Sequence, residues 1–590
     1  MADPKLPKQL SDESVLDEFT KTGNIYVDPA FKSQADIDKA PINGKSPITE
    51  EALTFSVNAF SGVKTGDADS ITTTPDDGHA VFVTNASIGG NLAFGRSGSA
   101  TAFDVYVKDT KINGSLYLVG RKKGNEWTAD SDGDLNVYVE GVSISSNYQG
   151  FAGQDGLNFT GNYVVTIKNL FTQYFALSQG SAWGAENDNQ GNQRLGLITG
   201  NLDVVIDGTT ATSVGSLHRG GIVGAGGTKA HVTALIKDSN FRNQFIGIHT
   251  GVSAKGYQSN ADMDITITGS TFNNAVMLLP NASNNDKANA GDTKFTGNIN
   301  LLMTGSTITS NGLVIGAGRN GGNTDGAGWV DGDITFKLSG STVIGRTIIN
   351  KGKYSTAEKP GKIDGTIINS DLEHFNGLWA NDSGNEIYVD DESTIKVIDS
   401  KVNNLDIGDF GAKKVNGALT VEVTGSTLRR AWTNRRFNSA DQSTATFNLV
   451  FKASDTTSVI TSSNTSTSNN DDGGGIRAWD NITIEKGADV EATFINGTRA
   501  YDAPTTLTVE AGSSLRLGSL EGITSVIVKD ENILTAGSLK KIGTLSVTGE
   551  VAAGQQEFIL VGGVTSIEDG DITTVTLNGV EGGRRNVGGN

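Results

Sequence analysis

The sequence predicts an all-β chain, a right-handed parallel β-helix (β-solenoid) with a short N-terminal cap. Three observations predict it. A strand-like motif recurs at a period of roughly thirty residues, in the range that marks repeat architectures. Gly is 76 of 590 residues against 9 Pro, with Asn, Thr and Ser abundant and Val and Ile in short alternating runs, the composition of short strands joined by many turns. Finally, 590 residues exceed one compact core but suit an array that grows by stacking.

The repeat is clearest in Ile265-Thr266-Ile267-Thr268-Gly269-Ser270-Thr271-Phe272. Leu301-Leu302-Met303-Thr304-Gly305-Ser306-Thr307-Ile308, Phe336-Lys337-Leu338-Ser339-Gly340-Ser341-Thr342-Val343 and Val421-Glu422-Val423-Thr424-Gly425-Ser426-Thr427-Leu428 are the same unit. Weaker copies extend the series, with anchors at Asn85, Asp109, Gly141, Asn169, Gly208, Asp238, Gly269, Gly305, Gly340, Asn369, Asp399, Gly425 and Ala453, spaced 24 to 39 residues apart. Before each anchor, alternation places Ile265 and Ile267 on one face and Asp264, Thr266 and Thr268 on the other, as a strand with one buried face requires. The anchor is almost always Gly, Asn or Asp, residues that tolerate the left-handed conformation of a sharp corner. A second strand follows, as in Ala275–Leu279, Leu313–Ile315, Thr347–Ile349 and Leu405–Ile407.

Stacked at a strand spacing of about 4.8 Å, each strand pairs with its copy one turn later, and about seventeen coils give a rod on the order of 80 Å long. A propeller is the rival, but its blades need four antiparallel strands and hairpins, whereas these units show one strong strand and one weaker one.

Length varies only between the second strand and the next repeat, in Arg121–Asp134, Gln179–Gly200, Thr250–Asp262, Asn281–Gly297 and Gly316–Gly332. These read as loops on one side, the usual binding face of a repeat protein. They carry Trp127, Trp183 and Trp329 among Gly, Asn and Asp, a setting in which indole can stack on a sugar while amides bond its hydroxyls; the alternative is that each Trp packs on the base of its own loop.

The organisation that results is a cap or leader at 1–50, where Ser11 to Lys21 reads as a short helix, and a loop-bearing β-helix at 51–460. A Ser/Asn/Gly-rich insert at 461–475 and plainer coils at 476–590 follow, with turn positions at Gly487, Gly512, Asp530 and Gly549.

Absence of cysteine excludes disulfides, thiolate metal sites and a Cys nucleophile, and suits export unfolded into an oxidising space. A formal charge of −19 with no sustained Lys/Arg stripe argues against nucleic acid as a partner. No run of about 18 apolar residues spans a bilayer as a helix. The opening Met1 to Lys8 lacks the apolar core of a secretion signal.

The repeats, together with the plainer Thr506-Leu507-Thr508-Val509-Glu510-Ala511-Gly512-Ser513-Ser514-Leu515, resemble the passenger domains of autotransporters, the type V secreted surface proteins of Gram-negative bacteria. The resemblance covers about residues 50–590 and is architectural. It implies a cysteine-poor right-handed β-helix displayed at the cell surface and acting in adhesion or self-association. The C-terminal β-barrel that the family places next does not follow Val587-Gly588-Gly589-Asn590, so attachment to the outer membrane would need a barrel beyond this sequence.

Other β-helix proteins cleave polysaccharides with paired carboxylates, which makes the Asp-containing motifs candidates. Asn323-Thr324-Asp325-Gly326 and Asp76-Asp77-Gly78-His79 resemble polygalacturonase motifs, but in reversed order and too far apart for the roughly 6.5–9.5 Å of a catalytic pair. Asp130, Asp132 and Asp134 alternate as in the opening of a Ca²⁺ loop; Leu135 and Gly141 stand where that loop needs its Gly and its bidentate Glu, and a solvated turn is the alternative. The five histidines, His79, His218, His231, His249 and His374, are scattered without zinc spacing. Gly95-Arg96-Ser97-Gly98-Ser99 misses the final Gly of a nucleophile elbow. No catalytic set or cofactor is expected beyond a Ca²⁺ candidate. The expected function is a surface adhesin binding glycan, a host surface protein or itself, with a secreted polysaccharide lyase or hydrolase, and a filament subunit, as alternatives.

Overall fold

A computed structural model describes residues 71–548, 572–577 and 580–582, less 74–79, 85, 95–103, 120–130, 133–134, 152–157, 178–195, 224–227, 250–257, 280–292, 318–327, 351–360, 379–385, 409–413, 434–444, 462–473, 498–503 and 531–533. The expected cap at 1–50 and the helix at Ser11 to Lys21 lie outside these residues. Every element described is a β-strand, and the long sheets are built of consecutive parallel pairings, as a parallel β-helix requires. The chain divides into two compact units, Met1–Val330 and Asp331–Asn590.

In the first unit the strands that precede the anchors form one parallel sheet, from Ala80–Thr84 to Ile299–Thr304. Register is residue for residue: Ile265 pairs with Ala234 and Leu301, and Ile267 with Ile236 and Met303. Ile265 and Ile267 are buried while Asp264 is exposed, so the alternation read in the sequence is the inside/outside pattern of the coil. Charged side chains on the outer face alternate in sign along the stack, Lys108, Glu140, Lys168, Asp207, Lys237, with Lys237 Nζ 3.3 Å from Asp207. A slip of one coil would set like charges side by side, so this row favours the observed register.

Eleven of the thirteen anchors have positive φ, from Asp109 at +46° to Gly141 at +63°. Asn85 lies outside the described residues, and Ala453, whose Cβ penalises that conformation, does not adopt it. Behind the anchor comes a buried hydroxyl. Ser239, Ser270 and Ser306 each accept from the backbone N–H one coil earlier, at 3.1 Å, and each donates to the carbonyl two residues before it. Ser370, Ser400 and Ser426 repeat this ladder in the second unit. The Gly-Ser-Thr signature is therefore a corner, an internal hydrogen-bond ladder and an outward residue, in that order.

After the corner the chain enters the second sheet, and an aromatic stack fills the first unit there. Phe241 and Phe272 lie parallel at 5.4 Å, Phe245 meets Phe241 edge-on at 4.8 Å, and Tyr148 stacks on Phe175 at 5.3 Å. Asn243, Asn274 and Asn311 form a side-chain amide ladder at the next bend.

Segments read as whole loops end in strands. Ser131–Asp132, Asn158–Thr160 and Gly196–Thr199 pair in parallel, as do Gln258–Ser259, Thr293–Phe295 and Gly328–Val330, making a third side to the coil just before the next repeat. In the second unit Glu386–Tyr388 and Lys414–Asn416 do the same. These runs are too short, and too poor in alternation, to register as strands in sequence.

The second unit continues the same design, its first sheet running from Ile334–Ser339 to Ile572–Leu577. Pairing of Asn448 to Phe451 with Asn481 to Ile484 passes over the Ser/Asn/Gly-rich insert, whose residues 462–473 lie outside the described ones. An antiparallel strand, Val580–Gly582, pairs with Ile572–Leu577.

Candidate functional site

Of the sequence-derived site residues, Trp127, Trp183, Asp130 and Asp134 lie outside the described residues. Asp132 has its backbone in a strand paired with Thr160, where sequence suggested a loop or turn. Trp329 likewise sits on the strand Gly328–Val330, opposite Lys294, and not within a loop. Each of the two sets thus has a single member, Trp329 and Asp132, among the described residues. Among them no three His, Asp or Glu converge as a metal site. The motifs at Asp76–His79, Gly95–Ser99 and Asn323–Gly326 also fall outside.

A cluster that the sequence reading missed lies on the second sheet of the second unit. The strands Thr342–Asn350, Asp371–Gly377, Lys401–Ile407, Thr427–Thr433 and Gly475–Arg477 run in register there. Thr347, Phe375, Leu405, Ala431 and Ile476 form a buried row in which Phe375 meets the core ring of Phe336 at 6.1 Å. By alternation the flanking rows face away from that core. One is Arg346, His374, Asn404 and Arg430; the other is Ile348, Asn376, Asp406, Trp432 and Arg477.

Despite facing outward, Asn376, Asp406, Arg430, Trp432 and Arg477 are all buried. Arg430 clasps Asp406 with two hydrogen bonds, Nε to Oδ1 at 3.0 Å and Nη2 to Oδ2 at 2.6 Å, and His374 Nε2 lies 2.7 Å from the same Oδ2. Burial pushes the Asp406 pKa up, but the His374 hydrogen bond and the Arg430 charge outweigh it and hold the carboxyl below its ordinary range. Asp406 is therefore ionised at neutral pH. With an ionised acceptor, His374 donates from Nε2.

Beside this triad Trp432 has the Arg430 guanidinium 4.2 Å and that of Arg477 4.9 Å from its ring centre, and Arg477 also lies 4.8 Å from the Phe494 ring. Arg429 reaches from the neighbouring corner to Asn404, with Nε and Nη2 donating to Oδ1 at 2.9 and 2.6 Å. Both amide atoms of Asn376 are buried without a hydrogen-bond partner.

In the first unit the row equivalent to that of Asp406 holds Ala176, Ser216, Met277 and Val314, also buried. The fold therefore accepts uncharged side chains at these positions. Burying charges there carries a desolvation cost that stability alone does not explain.

No family model, no curated protein and no solved structure matches this chain. Function has to be argued from the chain's own residues.

Proposed function

We propose that this chain is a cell-surface adhesin that binds glycan, a host surface protein or a second copy of itself through the segments joining its second and third sheets. The observation that supports this reading is the division of labour within each coil. The corner between the first and second sheets is fixed by left-handed anchors and a buried serine ladder. The length variation falls between the second strand and the third side. A scaffold whose variation is confined in this way suits recognition, because loops can change without disturbing the stacked core.

The cluster of His374, Asp406 and Arg430 on adjacent coils favours a second reading, a polysaccharide lyase or hydrolase on the same scaffold. An imidazole oriented by a carboxylate is a common general acid or base in such reactions. Arg430 and Asp406 saturate one another, so neither is open to a substrate as it stands, and the adhesin reading is preferred.

A glycan array probed with the purified chain, run beside an assay for released reducing ends and unsaturated uronates, separates the two. Binding without turnover is expected, and turnover lost in His374→Gln would instead establish the enzyme. Trp127→Ala and Trp183→Ala should each weaken binding with little change in melting temperature, because loop indoles add contact area to a ligand and little to the core, and Trp329→Ala, on the strand Gly328–Val330, should weaken binding as well. Unchanged binding in all three would move recognition away from these positions.

A further inference from the structure

Among the described residues, Asn376 has both ends of its side-chain amide buried and without a hydrogen-bond partner. Leaving a buried donor and acceptor unmade costs stability, so two such atoms on one amide point to a group that completes them. Asn376 lies in an outward row, on the face away from the core that Phe375 fills, so the missing partner belongs on the outer side of the sheet. Its neighbours along the row are Ile348, which is apolar, and Asp406, whose carboxylate is taken up by Arg430 and His374. His374, two residues earlier on the same face and about 7 Å away, is half-buried, and Arg346 beside it is exposed, so solvent is about one sugar ring distant. The strand Asp371–Gly377 ends one residue after Asn376, where the segment leading to the third-side strand Glu386–Tyr388 begins.

We propose that Asn376 is the buried polar contact of a sugar-binding subsite and receives two adjacent hydroxyls of a neutral sugar. The inference rests on the glycan-binding reading above and names the group that is recognised. The amide offers an acceptor, Oδ1, and a donor, Nδ2, side by side. Two neighbouring hydroxyls answer both, since each can donate or accept. An acetamido group is a planar trans amide with its N–H and C=O on opposite edges, so it would meet one atom and leave the other open. A carboxylate has no donor for Oδ1. Nor does the site call for a charged ligand, because Asp406 and Arg430 neutralise one another through two hydrogen bonds. The fold does not require an amide here, for the equivalent row of the first unit holds Met277 and Val314, both buried. A polar side chain kept where an apolar one packs, with two hydrogen-bonding atoms left open, is a local conflict of the kind that binding positions carry.

The test is isothermal titration of the full chain with dextran, whose glucose units keep adjacent free hydroxyls, with laminarin, whose chain units do not, and with polygalacturonate. Dextran binding that changes little between low and physiological salt, at least tenfold weaker binding to laminarin, and at least a tenfold loss of dextran binding in Asn376→Leu are expected. Leu has the branching of Asn without its polar atoms, so this variant should melt at the same temperature or higher. Should it melt early, Asn376→Ala decides, with the same loss expected. Dextran binding that survives the substitution, or laminarin bound as tightly as dextran, overturns the subsite, leaves a buried water only as the partner of Asn376, and lets the adhesin reading stand. A chain that binds other glycans on the array and not dextran overturns the subsite equally. Tighter binding to polygalacturonate that weakens as salt rises overturns the choice of a neutral sugar. A wild-type chain that binds no glycan on the array or in solution removes the glycan reading and this inference together.

Discussion

Gly269 and Gly305 occupy the same corner with nearly the same backbone, φ +58° and +54°, but different neighbours. A Cβ at Gly269 would meet Asp238 Oδ1 at 2.4 Å, whereas nothing lies within 4 Å at Gly305. Gly305→Ala should therefore cost only the left-handed penalty, about 1–2 kcal/mol, and Gly269→Ala more; equal losses in denaturant melts would show that Asp238 does not restrict the corner. Ser270→Ala removes the acceptor of the buried Ser239 N–H and should cost about 1–3 kcal/mol, against little for the outward Thr271→Ala. The anchors were legible in the sequence because left-handed φ selects Gly, Asn and Asp by sterics. The ladder was not, because a serine's partner lies about thirty residues away. Asp406 sets a pH dependence. Its folded pKa lies below the unfolded carboxylate value of about 3.9, so the stability it contributes is present above that pH and is lost as pH falls through the folded value. Asp406→Asn should be less stable at pH 7 and show a shallower loss on acidification; parallel acid limbs in the two proteins would contradict this.

Where one strand meets the next, the side chains that share a row decide what the element tolerates. Phe336 fills the space beside Gly365 one coil later, where a Cβ would come within 2.2 Å of its ring, so the two positions are one packing unit spread over two repeats. The ion cluster is likewise a property of neighbouring strands. Replacing His374, Asp406 and Arg430 together by Phe, Leu and Met removes the charges along with their partners and should be neutral or stabilising, by up to about 1–4 kcal/mol. Asp406→Leu alone should destabilise by about 3–5 kcal/mol, since it leaves buried cations uncompensated. Chemical denaturation of the two variants checks this, and a triple variant as unstable as the single one would make the cluster a requirement of the fold. Arg430 and Asp406 are 24 residues apart and His374 a further 32, so no local pattern announces them.

Across each unit, a coil pairs only with the coils on either side, so damage should spread to neighbours and no further. Ile267→Asp buries a charge in the core row, and should strip hydrogen-exchange protection from His231–Lys237 and Ile299–Thr304 while Thr506–Val509 keeps its own. Thr266→Asp, on the outer face, should do neither. Uniform loss of protection after Ile267→Asp would mean that the whole chain melts as one. The amino-acid sequence by itself determined the parallel β-helix, the positions of its corners, the faces of its strands and the segments where length varies. Those follow from short-range rules, namely period-2 alternation and the sterics of positive φ, which act on a few adjacent residues. The tertiary structure alone decided the serine and asparagine ladders, the third side of the coil, and the gathering of Arg346, His374, Asp406, Arg429 and Arg430 on one surface. Stacking does this because it makes neighbours of residues a full repeat apart, and repeats of unequal length leave no fixed sequence interval by which such neighbours could be found.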